Sequence, residues 1–234
     1  METTEILPGL WQWSLPHPAW TPEQGGATGW PQIVVATYFE PPAPGVVLID
    51  PLVPEDAEEH ARFFRALDRD VERRDGPVVV LIGNRWHGRS AAVILDRYRV
   101  GPGCEVLAHE DAAKDVQARL TGTFGDDAQV APGVRALRLR PAGGGECAFW
   151  LASVAALVFA DALLGEQGGE ARLQPPSWGP SDVADYENAL RSRLGLLLDL
   201  PCERLLMAHG PSVLADGRAA LERALLAPHH GAAG

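Results

Sequence analysis

The sequence predicts a layered α/β fold. Three observations carry that prediction. Short apolar, β-branched runs alternate with stretches of helical periodicity. Their order is strands, then β/α alternation, then strands, then β/α alternation again. No internal sequence repeat is visible, which argues against a solenoid or propeller. Two sheets enclosed by helices fit this order, and so does a three-layer sandwich; periodicity does not choose between them.

Taken in order, Ile33–Phe39 and Val46–Asp50 read as strands joined by the proline-rich turn Glu40–Gly45. Glu55–Leu67 reads as a helix, with Ala57, Ala61, Phe64 and Leu67 on one face. Val78–Ile82 is a continuous apolar run, the pattern of a strand buried on both faces. Ser90–Tyr98 reads as a helix, Glu105–Ala108 as a short strand and Ala112–Leu120 as a weaker helix, with His109 to Asp111 capping it. Val134–Leu139 alternates apolar residues with arginine, and Cys147–Leu151 and Ala156–Ala160 form a strand pair across a short turn. Gly165–Pro180, rich in Gly, Pro and Gln, reads as a long loop. Ser181 caps a helix over Asp182–Leu198, Arg204–Ala208 is a last strand, Gly217–Leu226 a last helix, and His229–Gly234 a tail.

Composition narrows the function. The 234 residues are 46% hydrophobic, enough for a sizeable core, and carry a formal charge of −11. No stretch gathers the arginine or lysine of a nucleic-acid track. Cys104, Cys147 and Cys202 are odd in number, widely spaced and embedded in apolar runs, so they read as reduced core residues and not as metal ligands. Met1–Leu10 has no apolar signal core, and no apolar run is long enough to span a bilayer, so a soluble cytoplasmic protein is expected.

Five motifs then occur in order: Ile6-Leu-Pro-Gly-Leu-Trp11, Val47-Leu-Ile-Asp50, Leu81-Ile-Gly-Asn-Arg-Trp-His-Gly-Arg-Ser-Ala-Ala92, Leu157-Val-Phe-Ala-Asp161 and Leu205-Leu-Met-Ala-His209-Gly-Pro211. Together with Phe149-Trp-Leu151 they resemble the metallo-β-lactamase-fold hydrolases, from about residue 6 to 226 of a single domain spanning 1–234. The resemblance implies a four-layer αββα sandwich with its site at one edge between the sheets. It also implies a metal-binding loop at 81–92 with its ligands removed. The first metal site would need histidines at Asn84, Trp86 and Ala142. The second would need ligands at Gly88, Arg89 and His209, with Asp161 bridging; only Asp161 and His209 remain. The general-base position, at Gly88, is also lost.

A catalytic zinc takes three protein ligands and a water, so two residues do not hold it tightly. His87 is the rescue candidate, but if residues 82–87 continue the strand, Asn84 and Trp86 share one face and His87 points to the other, unless the loop turns there, which Gly88 allows. On that parity His87 is a surface or hydrogen-bonding histidine. Arg89 replaces a ligand beside Asp161, and a guanidinium can fork onto a carboxylate. The expectation is an Arg89–Asp161 ion pair filling the site, with Asn84 and His209 bonded around it; the alternative is an Arg89 that points to solvent.

The function expected is therefore a metal-free, degenerate member of that fold, a pseudoenzyme with a binding or structural role and no cofactor. Asn84, Trp86, Arg89, Asp161 and His209 are the candidate ligand-binding residues. The free N–H groups of the helix opening at Ser90, with Asn84, Arg85, Arg89 and the Gly143–Gly145 loop, suggest a small anionic ligand. Trp11, Trp13, Trp20, Trp30 and Trp86 can wall the same cleft, although core packing is the simpler role for Trp11. The alternative is a divergent hydrolase of ester, lactone, thioester or phosphodiester bonds, holding one zinc, iron or manganese ion through His87, Asp161 and His209.

Overall fold

The computed structural model describes residues 1–26, 29–139, 145–179 and 186–228. A seven-stranded sheet runs in chain order through β1 (Glu2–Leu7), β2 (Leu10–Pro16), β3 (Ile33–Phe39), β4 (Val46–Ile49), β5 (Val78–Ile82), β6 (Cys104–His109) and β7 (Gly122–Phe124). Its first four strands are antiparallel neighbours, and from β4 onward each strand is parallel to the next. Parallel pairing requires crossovers, and α1 (Ala57–Arg74) and α2 (Ala91–Tyr98) supply two of them. The one-turn α3 (Glu110–Ala113) follows β6.

A five-stranded sheet holds β8 (Gln129–Ala131), β9 (Val134–Arg138), β10 (Cys147–Leu151), β11 (Ala156–Phe159) and β14 (Arg204–Met207). The hairpin β12 (Leu163–Glu166) and β13 (Glu170–Leu173) stands apart from it. α4 (Tyr186–Gly195) and α5 (Gly217–Leu226) complete the described elements.

Side-chain alternation sorts these elements into layers. Along β5, Val78, Val80 and Ile82 join Phe64 and Leu67 of α1 and Ile94 and Leu95 of α2 in one core. Val79 and Leu81, on the other face, join Phe149, Leu151, Val158 and Leu206 of the second sheet. That sheet's outer face carries Leu157, Phe159 and Met207 against Leu190 and Leu194 of α4 and Leu221 of α5. The order is helix, sheet, sheet, helix, which decides for the four-layer alternative and explains why Val78–Ile82 has no polar position.

Local chemistry sets the ends of these elements. Asp56 caps α1 by accepting from the N–H groups of Glu58 and Glu59 at 3.1 and 3.0 Å. His109 caps α3 through Nδ1, which accepts from the Asp111 N–H at 3.1 Å.

Two expectations are corrected. The segment from Gly165 contains the β12–β13 hairpin, because Gly168 and Gly169, at φ 80° and 78°, supply a tight turn between Leu163-Leu164 and Ala171–Leu173. The helix expected over Ala112–Leu120 stops after one turn, where the N–H groups of Asp115 and Val116 both close on the Ala112 carbonyl. Ser181, the expected cap of the penultimate helix, and the expected tail His229–Gly234 lie outside the described residues.

Phe149 is fully buried between the sheets and stands edge-on to Phe124 at 6.2 Å. Phe149→Ala is expected to destabilise the fold by about 3–5 kcal/mol through lost burial and the cavity left behind. Val100→Ala, at an exposed position, should change stability by less than about 0.5 kcal/mol. Urea unfolding of both variants checks the contrast.

Candidate functional site

Four strands point their C-terminal ends at one place, the common location for sites in α/β sheets. Asp50 follows β4, residues 83–89 follow β5, Asp161 lies just beyond β11 and His209 just beyond β14. The first pair of strands belongs to one sheet and the second to the other, so the site sits where the sheets meet.

Asp50 holds a left-handed backbone at φ 50° and is buried. Its Oδ1 accepts from the Gly83 N–H at 2.7 Å, and its Oδ2 lies 2.7 Å from His87 Nδ1. β5 ends at Ile82, and the chain then turns: Asn84 Oδ1 accepts from the Trp86 N–H at 2.9 Å, and the His87 N–H donates to the Asn84 carbonyl at 3.2 Å. This turn breaks the strand alternation. His87 is directed inward and buried, while Trp86 is 64% exposed under the Arg85 guanidinium. The strand stops at Ile82, so the parity placement of His87 does not apply, and His87 is a buried hydrogen-bonding histidine that faces the site.

Asp161 is the hub. Its Oδ2 accepts from Asn84 Nδ2 at 2.6 Å, and its Oδ1 lies 3.1 Å from His87 Nε2 and 3.2 Å from His209 Nε2. Its backbone N–H donates at 2.8 Å to Oε1 of Glu146, which is fully buried and also accepts from the Ala162 N–H. His209 is placed by a close backbone approach: the Gly165 N–H donates to its carbonyl at 2.9 Å, and a Cβ at 165 would stand 1.7 Å from the Pro211 carbonyl oxygen. Trp30 and Trp178 stand edge-on to the His209 ring at 6.4 and 5.8 Å. Its Nδ1 is buried and, among the described residues, unpartnered.

Arg89 does not pair with Asp161 as expected. Its Nη1 donates to the Asp50 carbonyl at 3.1 Å, and its Nη2 lies 3.3 Å from His87 Nε2. The turn at Arg89, with φ 29°, aims the guanidinium at the end of β4 instead of across to Asp161. The cation in direct contact with Asp161 is His87. Burial and the Arg89 charge oppose the His87 proton, but the Asp50 and Asp161 carboxylates outweigh them and raise its pKa to about 9. An imidazolium in this position would donate from both nitrogens, one to each aspartate. Burial pushes the Asp161 carboxyl up, yet His87 and His209 hold it well below the usual carboxylate range. Burial also lowers the pKa of His209, against the pull of Asp161.

Of the candidate residues, Asn84, Asp161 and His209 converge, Arg89 joins through Asp50 and His87, and Trp86 stays outside. Among the five tryptophans expected at the cleft, Trp30 stands against His209. Trp13 packs on Phe63 and donates to the Leu52 carbonyl, and Trp20 donates to the Trp30 carbonyl. Ala142, Gly143 and Gly144 lie outside the described residues. Sequence reasoning missed Glu146, Trp178 and His17. His17 stacks edge-on to Trp30, and its pKa is lowered to about 4 by burial and by the charges of Arg89, His87 and His209. None of the three sits in a motif. Asp50 was visible as an acid ending an apolar strand, but its bond to His87 was not.

The fold has close counterparts among solved structures. A metallo-beta-lactamase family protein from Thermus thermophilus matches at TM-score 0.62 and 17% identity, over 95% of this chain and 80% of that one. The chain has the metallo-β-lactamase fold. The metallo-beta-lactamase from Pontibacter korlensis matches at TM-score 0.61 and 16% identity, over 97% and 99% of the two chains. FIM-1 from Pseudomonas aeruginosa, in its mono-zinc form, matches at 0.63 and 13%, over 96% and 93%. No protein-family model and no curated protein sequence matches the chain.

Nε2 of His87, Oδ1 of Asp161 and Nε2 of His209 lie within 4.8 Å of one another, the number of protein ligands a catalytic ion needs. Two features bear against it. The neighbouring carboxylates raise the His87 pKa and so favour a proton on the ring, and Arg89 Nη2 stands 3.3 Å from Nε2.

The network has a pH signature. The folded pKa of His87 lies above its ordinary 6.5, so its stabilisation is complete below about pH 6.5 and is lost as pH rises through about 9. The loss is expected to reach roughly 3 kcal/mol. His87→Gln should remove this component of the pH dependence, measured as urea midpoints between about pH 6 and 10. Asp161→Ala, which leaves His87 and His209 without their shared carboxylate, should cost about 3–5 kcal/mol.

Proposed function

We propose that this chain is a metal-independent protein of the metallo-β-lactamase fold. Its polar centre is filled by its own charges, and its role is binding or structural, not hydrolytic. One observation carries the reading: His87 bridges Asp50 and Asp161 while Arg89 backs it. The Asp50 and Asp161 carboxylates are thereby met by an imidazolium and a guanidinium of the chain itself. Removing a metal from such a fold would otherwise leave two buried aspartates without partners, at high cost.

The same geometry gives little support to a small anion at the centre. Asn84 and Arg89 each spend an N–H inside the protein, and the nearest carboxylates would repel an anion. The Ser90 end of α2 is also engaged: the Ser90 N–H donates to the Pro51 carbonyl, and its hydroxyl oxygen accepts from the Val53 N–H.

A second reading rests on the convergence of His87, Asp161 and His209. With His87 deprotonated, these three would hold one zinc, iron or manganese ion, and Asp50 on Nδ1 would orient the imidazole. Such an ion would supply Lewis acidity for a hydrolase. Metal binding there has to displace the His87 proton that the two carboxylates favour, so it strengthens as pH rises.

Metal analysis of protein purified without chelators separates the two readings. The proposal expects less than about 0.1 equivalent of zinc, iron or manganese per chain. It also expects no turnover of ester, lactone, thioester or phosphodiester substrates above the level of a His87→Ala variant. One tightly held equivalent, lost in His87→Ala and His209→Ala, would overturn it in favour of the second reading.

A further inference from the structure

A groove of about 1250 Å³ opens on the far face of the seven-stranded sheet, between α1 and the β1–β2 hairpin. No residue of the polar centre lines it. α1 packs over the sheet through Phe63, Phe64, Leu67 and Val71, with Trp13 of β2 buried in the same core and Trp11 only partly covered at its edge. Alternation along β2 turns Trp11 and Trp13 into this space, where they form an aromatic floor with Tyr38.

The helical wall is basic. Arg62, Arg65, Arg69 and Arg73 recur at spacings of three and four on α1, and all line the groove. With Arg74, five arginines face three carboxylates, Glu5, Glu40 and Asp70, in a chain whose net charge is −11. The carboxylates are largely answered within the fold. Arg73 bonds both Glu40 and Asp70, and Arg74 lies 3.9 Å from Glu40. Arg62 reaches Glu59 at 3.6 Å. Among the described residues, Arg65 and Arg69 are left one helical turn apart with no side-chain ion pair or hydrogen bond, an arrangement of like charges that costs helix stability.

We infer that this groove binds a small amphipathic anion: a flat apolar body lies against the partly exposed Trp11, and a sulfonate, carboxylate or phosphate head pairs with Arg65 and Arg69. The volume exceeds the few hundred Å³ that a compact ligand requires. Aromatic floors with a few placed charges are the usual composition of such sites. The guanidinium forks suit a planar or tetrahedral oxyanion. The inference is independent of whether the polar centre holds a metal.

The probe is 8-anilinonaphthalene-1-sulfonate, titrated into the full chain and followed by its own fluorescence and by tryptophan quenching. N-phenyl-1-naphthylamine, which lacks the sulfonate, serves as its neutral counterpart. Saturable binding of one sulfonate per chain is expected, weakened at least tenfold in Arg65→Ala/Arg69→Ala and unchanged in Arg218→Ala on α5. The neutral compound should bind wild type and double variant alike. Both α1 arginines are exposed, so the double variant keeps the fold, and its urea midpoint verifies this. Absence of saturable sulfonate binding, or equal binding by wild type and double variant, would overturn the inference.

Discussion

The carboxylate of Asp161 is buried at the junction of two sheets, and the architecture around it answers the cost of burying that charge. An isolated carboxylate in such a place would take up a proton. Asp161 instead receives Asn84 and His87 from the loop after β5 and His209 from the loop after β14. The donors come from both sheets, so the same bonds that stabilise the charge also fix how the two sheets meet. Glu146 extends this by gripping the backbone N–H of Asp161, which sets where the carboxylate points.

Charge compensation also explains the strained backbone nearby. Asp50 and Arg89 both adopt positive φ, which non-glycine residues reach at some cost. Asp50 in that conformation offers one carboxylate oxygen to Gly83, the other to His87 and its carbonyl to Arg89. A single residue thus orders the turn, the imidazolium and the guanidinium. In this metallo-β-lactamase fold, His87 and Arg89 stand beside the two buried aspartates. Fold alone does not assign chemistry, and the protonation state of one histidine separates the two functional readings.

Much of the fold was legible in the sequence. The uninterrupted apolar run Val78–Ile82 reported a strand covered on both sides, and the heavy residues of α1 fell on one face. The three-residue strands β7 and β8 were not legible, because so short a segment carries no periodicity. The β12–β13 hairpin was obscured by its own turn glycines, which by composition look the same in a loop and in a tight turn. Among described residues no helix is long and apolar enough to cross a membrane.

By itself the sequence determined the layered α/β class, which follows from local pattern. Its resemblance to the metallo-β-lactamase-fold hydrolases implied that Asn84 and Trp86 stand where that family's pattern has ligands, and that Asp161 and His209 keep ligand types. Only the tertiary structure decided which cation meets Asp161. That choice depends on the turn after Ile82, where an asparagine side chain bonds the backbone two residues on and rotates His87 inward. Strand parity is a rule for continuing strands. It fails where a side chain offers the backbone a better partner than the next strand does.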